Sequence, residues 1–165
     1  MNIKLSDFGF CTLLADANGN TTLKEIKGTP GYMAPEMFKK PGYKGVQTDL
    51  FALAVCVFMM VTKCQPFDQA KARDPCYKLI HQNKPQEYFA VFEKCAPISE
   101  ELKDLLFKMM SSNPAKRPTF DEIVLHPWTQ GTVPTNEEVL KLFSTRFETI
   151  STRMTSSSTS TGNNG

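Results

Sequence analysis

The residues able to do chemistry are few and spread along the chain. Asp7 stands two residues before Gly9, near the start. Its carboxylate is a hard oxygen donor of the kind Mg²⁺ prefers, and an aspartate before glycine also suits a turn. The five cysteines, Cys11, Cys56, Cys64, Cys76 and Cys95, form no C-x-x-C pair, and the two histidines, His81 and His126, do not cluster with them. Zinc and thioredoxin-like chemistry are therefore not indicated. An odd number of cysteines reads as reduced thiols in a reducing compartment, which points to an intracellular, cytoplasmic protein.

Composition narrows the partners. The formal net charge is +2, with 22% charged and 41% hydrophobic residues over 165 positions. Lysines and arginines are scattered, so neither nucleic acid nor an acidic membrane surface is implied. The longest apolar run, Leu50 to Val61, is shorter than the roughly 18 residues of a membrane span and suits a buried helix. No signal peptide is visible, because the opening residues are short and polar.

The elements that must position these residues can be read from pattern. Ile3-Lys4-Leu5 alternates like the end of a strand, and residues 6 to 32 lack periodicity and read as one long loop, turning at 16–20. A helix apolar nearly all round begins near Gln47 and ends at Lys63-Cys64-Gln65-Pro66. A shorter amphipathic helix is expected over 74–83. Ser99, followed by Glu100 and Glu101, starts another, with Leu102, Leu105, Leu106, Met109 and Met110 on one face. Thr119 with Glu122 and Thr135 with Glu138 form T-x-x-E boxes that start two more. The Ser/Thr/Gly/Asn stretch at the end cannot bury enough apolar surface to order itself.

In order, Asp7-Phe8-Gly9, Gly28-Thr29-Pro30-Gly31-Tyr32-Met33-Ala34-Pro35-Glu36, Asp49, Arg117-Pro118-Thr119 and His126-Pro127-Trp128 resemble the C-terminal half of a eukaryotic protein kinase catalytic domain of serine/threonine type. The likeness covers residues 3 to about 128. It implies a mainly α fold, the large-lobe portion of a protein-kinase-like domain. Residues 1–128 would be a partial kinase domain with its activation segment at 7–36. A helical extension over 129–152 and a disordered tail over 153–165 would follow.

The resemblance also implies roles. Asp7 matches the aspartate that holds Mg²⁺ against the phosphates of ATP, Phe8 packs toward a small lobe in the family, and Gly9 lets the backbone turn over. Thr29 matches a threonine that touches the catalytic aspartate and favours Ser/Thr substrates. Ile26, Pro30 and Met33 match the pocket for the residue after the phosphoacceptor, and predict an apolar preference there. Glu25 stands near the usual activating phosphothreonine, where a fixed carboxylate could replace phosphate and pair with basic residues; Thr21 and Thr22 are the candidate phosphosites. Glu36, at the end of Ala34-Pro35-Glu36, and Arg117 match a buried ion pair. Asp49 matches the aspartate that holds the catalytic-loop backbone. Two positions depart from the pattern: Ala54 replaces a glycine, and Met59 stands where kinases preferring basic substrates carry glutamate.

No G-x-G-x-x-G loop, strand lysine or H-R-D-x-x-x-x-N loop occurs in these residues. The expectation is thus a chain with the N-lobe and catalytic loop absent. It would lack the base, supply one Mg²⁺ ligand, and be inactive alone. The implied partners are the missing N-lobe and a protein substrate. A non-catalytic interaction module and a non-functional gene fragment are the competing readings.

Overall fold

A computed structural model of the chain describes residues 4–15, 19–39 and 42–158. They are mainly helical and fall into two units, Asp7–Gln130 and the remainder, Met1–Ser6 with Gly131–Gly165.

The larger unit is organised by α1 (Gly45–Thr62), two residues longer at its start than the pattern indicated. Its apolar side chains surround the helix, yet burial is one-sided. Leu50, Phe51, Ala54, Val55 and Phe58 are buried, while Leu53 and Met60 are exposed. With 18 residues and a mean hydropathy of 1.7, α1 is long and apolar enough to cross a membrane, but here nearly half of it is buried inside the fold. Lys63 adopts the left-handed conformation (φ 59°) and its amide closes the last turn on the Met59 carbonyl.

Four shorter helices follow in this unit. The first is α2 (Pro75–His81), started by Asp74, whose Oδ1 accepts from the Tyr77 amide at 2.8 Å. Next comes α3 (Pro85–Ala90), which the sequence pattern missed because six residues are too few to show a helical period. In α4 (Glu100–Met109), Ser99 caps through the Leu102 amide, and Leu102, Leu105, Leu106 and Met109 form the buried face. The Thr119–Glu122 capping box is fully formed at α5 (Phe120–Val124), with the Thr119 amide donating to Glu122 Oε2 at 2.7 Å.

Helix α1 packs on α4, and α3 packs on both α2 and α4. Between them lie interlocked rings: Phe58 meets Phe92 edge-on at 4.8 Å, Tyr88 meets Phe89 at 5.0 Å, and Phe67 meets Tyr77 at 5.0 Å. Offset and edge-to-face pairs of this kind favour a fixed arrangement over a fluid one. Burial raises the phenol of Tyr77 far above its ordinary range.

Residues 6–32 are not one uninterrupted loop. Strand β1 (Thr22–Leu23) pairs antiparallel with β2 (Tyr43–Lys44), Thr22 opposite Lys44 and Leu23 opposite Tyr43. Two residues carry no alternation that a sequence reading could detect. Gly42 (φ +144°) permits the pairing, because a Cβ there would collide with the Leu23 carbonyl. Lys4 and Leu5 are not in a strand, and Ile3 lies outside the described residues, as do residues 16–18 of the expected turn.

In the second unit, Thr135 and Glu138 exchange cap hydrogen bonds (Thr135 amide to Glu138 Oε2, 2.8 Å) and α6 runs from Asn136 to Ser158. It therefore includes 153–158, which composition assigned to the tail. Once a helix is nucleated, each further residue adds a backbone bond at little cost. Residues 159–165 lie outside the described residues.

Candidate functional site

Asp7 holds an unusual backbone. Its φ of 61° and ψ of 76° are left-handed, and Oδ1 accepts from the Gly9 amide at 3.4 Å to start a single 3₁₀ turn, Phe8–Phe10. The resemblance assigned the turnover of the chain to Gly9; the left-handed residue is Asp7 itself. Aspartate tolerates this conformation because its short carboxylate can bond the local backbone. Phe8 is 65% exposed, and Phe10, Leu13 and Leu14 are exposed beside it.

A cavity of ≈ 450 Å³ brings together Asp7, Glu25, Asp49, Lys27, Tyr43 and Thr48, among others. Three of the carboxylates singled out by sequence thus share one hollow. Asp49, on the second turn of α1, has its carboxyl raised by desolvation. The Glu25 carboxyl is lowered by its hydrogen bond to Lys27 and by that residue's charge. The expected basic partner of Glu25 is therefore its neighbour two residues on, an exposed local pair. The link from this stretch to the fold is made by backbone instead: the Tyr43 hydroxyl donates to the Glu25 carbonyl at 2.6 Å. Beside it, the Lys44 ammonium donates to the Thr21 hydroxyl, and the Thr22 amide donates to Asn20 Oδ1 at 3.0 Å.

Thr29 precedes a 3₁₀ turn, Pro30–Tyr32, and its exposed hydroxyl makes no capping bond there. The three residues matched to a substrate pocket are separated by burial. Ile26 is 57% exposed and Pro30 is exposed, but Met33 is 5% exposed and belongs to the core. An apolar side chain beside Ala34 gains from this burial, so of the three only Ile26 and Pro30 present exposed surface.

The segment ends in a third 3₁₀ turn, Pro35–Phe38, where Ala34, Pro35 and Glu36 are all buried. Glu36 meets Arg117 in a two-pronged pair, NH1 to Oε1 at 2.6 Å and NH2 to Oε2 at 2.7 Å, with the arginine side chain 0% exposed. NH1 also donates to the Gln47 carbonyl at 2.7 Å, and Nε and NH2 both donate to the Ser111 carbonyl at 3.0 Å. All five guanidinium N–H groups are thereby used, and the cation lies 4.9 Å from the Phe51 ring centre. One side chain joins the end of the 7–36 stretch, the start of α1 and the end of α4. The two carbonyl acceptors escaped the sequence reading, since backbone groups leave no residue signature. Asp74 escaped it too: besides capping α2, its Oδ2 accepts from the amides of Asp68 and Gln69 at 2.9 and 3.3 Å.

The ion implied at Asp7 would meet one exposed carboxylate. Among the described residues no group of three or more His, Cys, Asp or Glu side chains could hold a metal. Magnesium commonly takes one or two carboxylates and completes its shell with phosphate and water. The donor set therefore fits an ion shared with a nucleotide and does not form a self-sufficient metal cage.

Residues 1–129 match the family model of the protein kinase domain. The chain is 34% identical over 127 residues to the serine/threonine-protein kinase CHK1 of Mycosarcoma maydis, covering 77% of this chain and 18% of that protein. It is 35% identical over 130 residues to sperm motility kinase 2B of Mus musculus (78% and 25%). With CBL-interacting protein kinase 25 of Oryza sativa subsp. japonica it shares 33% identity over 129 residues (77% and 23%). The chain thus spans about a quarter or less of the length of these curated relatives.

Proposed function

This chain belongs to the protein kinase family, and from that premise we propose that it forms part of an enzyme that transfers the γ-phosphoryl group of ATP to serine or threonine hydroxyls of proteins. The observation that carries the reading is a segment fixed at one end and open at the other. The Glu36–Arg117 pair holds residue 36 in the core, while Asp7 stands exposed on the wall of a cavity. Phosphoryl transfer asks the protein for positioning and charge stabilisation more than covalent chemistry. Magnesium, when bound, neutralises phosphate charge; Asp7 is the residue of this chain that would hold it.

The other assignments follow from position. Thr29, with its hydroxyl free of any capping role, would face the phosphoacceptor side. Ile26 and Pro30 would offer apolar surface to the residue after the phosphoacceptor, without Met33. Asp49 would hold backbone of the catalytic loop. Glu25, paired with Lys27, would supply without phosphorylation the carboxylate–cation contact that a phosphate would otherwise make. A phosphate on Thr21 would instead sit beside the Lys44 ammonium, a charge-assisted contact able to order the segment.

The test is a phosphotransfer assay with labelled ATP on the full-length protein that carries this chain, followed by identification of the labelled amino acids. Label on serine and threonine, lost in Asp7→Asn, is the expected result. Absence of transfer, with a partner protein still bound, would favour a non-catalytic module in which the exposed Phe8, Phe10 and Leu14 serve as contact surface.

A further inference from the structure

Cys64 and Cys95 take no part in the site described above, are 31 residues apart in sequence, and place their sulfurs 2.8 Å from one another. Both backbones are held independently of the sulfurs. Just after the left-handed Lys63 that ends α1, the Cys64 amide donates to the Thr62 hydroxyl at 3.2 Å, and that hydroxyl donates to the Phe58 carbonyl at 2.8 Å. The Cys95 amide donates to the Phe92 carbonyl at 2.9 Å. Behind the pair, Phe58 of α1 and Phe92 pack edge-on at 4.8 Å, which fixes the two carrier segments against each other.

We infer that Cys64 and Cys95 form a dithiol site that reacts with low-molecular-weight disulfides of the glutathione class and closes to an intramolecular disulfide joining the end of α1 to the turn after α3. Cys95 is exposed and Cys64 half-buried, so the oxidant meets Cys95 first. A lysine precedes each cysteine, Lys63 and Lys94, and both are exposed, which favours approach of an anionic disulfide such as oxidised glutathione. The Cys64 thiol is held above the ordinary cysteine range, first by its hydrogen bond to Cys95 and then by burial, so it waits as the resolving thiol.

The steps balance. The Cys95 thiolate attacks one sulfur of the glutathione disulfide, forming a mixed disulfide and releasing one glutathione thiolate. The Cys64 thiolate then attacks Cys95 Sγ, forming the internal disulfide and releasing the second glutathione. The two protons lost by the protein thiols are taken up by the two released thiolates. The protein is oxidised by two electrons and the glutathione disulfide is reduced by two.

The experiment treats the reduced full-length protein with oxidised glutathione under native conditions and in urea, quenches the remaining thiols, and maps the cross-links by peptide mass spectrometry. The expected native product is a 64–95 cross-link with the other thiols of this chain predominantly unlinked. Unfolding in urea should lower its share at least about fivefold, because the pairing then loses its prearranged geometry. Cys64→Ser should stop the reaction at a glutathione adduct on Cys95. Wild-type mapping decides the matter even where that variant does not fold. Glutathione adducts without a 64–95 cross-link, a cross-link equally abundant in urea, or pairs scattered through Cys11, Cys56 and Cys76 would each overturn the inference.

Discussion

The two ends of the 7–36 stretch are opposites. Around Glu36 every donor of Arg117 is satisfied, the arginine side chain is fully buried and an aromatic ring lies over the cation. Around Asp7 the backbone is left-handed, the neighbouring phenylalanines face solvent and the carboxylate spends one oxygen on a nearby amide. The first end is built for stability, the second for access. Residues that sequence marks with similar emphasis therefore answer to different measurements: unfolding at the Glu36 end, ligand binding and turnover at the Asp7 end.

Arg117→Ala should have the largest effect on stability. It leaves the Glu36 carboxylate and two carbonyls without their donor, at a cost of about 3–5 kcal/mol, read as a lowered denaturation midpoint with an unchanged slope. A double change, Glu36→Met with Arg117→Met, should cost less than the two single changes together, since no charge is left buried alone. Leu106→Ala, in the fully buried face of α4, should cost about 2–5 kcal/mol by opening a cavity; a value near zero would show that this core is loosely packed.

Thr119→Ala removes the α5 cap and should cost about 1 kcal/mol. The same box carries a pH signature. The Glu122 carboxyl lies below its ordinary 4.5, first because the Thr119 amide donates to it. Its contribution is complete above pH 4.5 and is lost as pH falls through the lowered value, when the unfolded chain binds the proton more readily. Acid titration followed by amide exchange at α5 checks this; Glu122→Gln should flatten the dependence.

Asp7→Gly should have the smallest effect on folding and the sharpest on chemistry. Glycine adopts positive φ without strain, so stability should change by less than about 1 kcal/mol in either direction, while phosphotransfer by the full-length protein should vanish. A large loss of stability would show that Asp7 is a structural residue, erasing the contrast with Glu36.

Much of the helical architecture was legible because its starts are chemically marked. Ser99, Thr119 and Thr135 each precede a helix and use their side chains as the pattern implied. The 3₁₀ turns, α3 and the two-residue strands were not, because such short pieces rest on tertiary context rather than periodicity. The one-sided burial of α1 was hidden for a different reason: a helix apolar all round does not say which face the fold will cover. At the site, the resemblance pointed to Asp7, Asp49 and the buried Glu36–Arg117 pair, but not to the left-handed backbone of Asp7. It placed Met33 in a groove, whereas packing beside Ala34 drew it into the core. The carbonyls of Gln47 and Ser111, which complete the arginine's shell, carry no sequence signal.

The most direct measurement is thermal unfolding of the full-length protein with and without Mg·ATP, for wild type and Asp7→Asn. The account predicts equal midpoints without nucleotide, a rise with Mg·ATP in the wild type as expected for a ligand of the native state, and a much smaller rise in the variant. An Asp7→Asn protein that keeps the full nucleotide-dependent rise, or whose unliganded midpoint falls as far as that of Arg117→Ala, would contradict it.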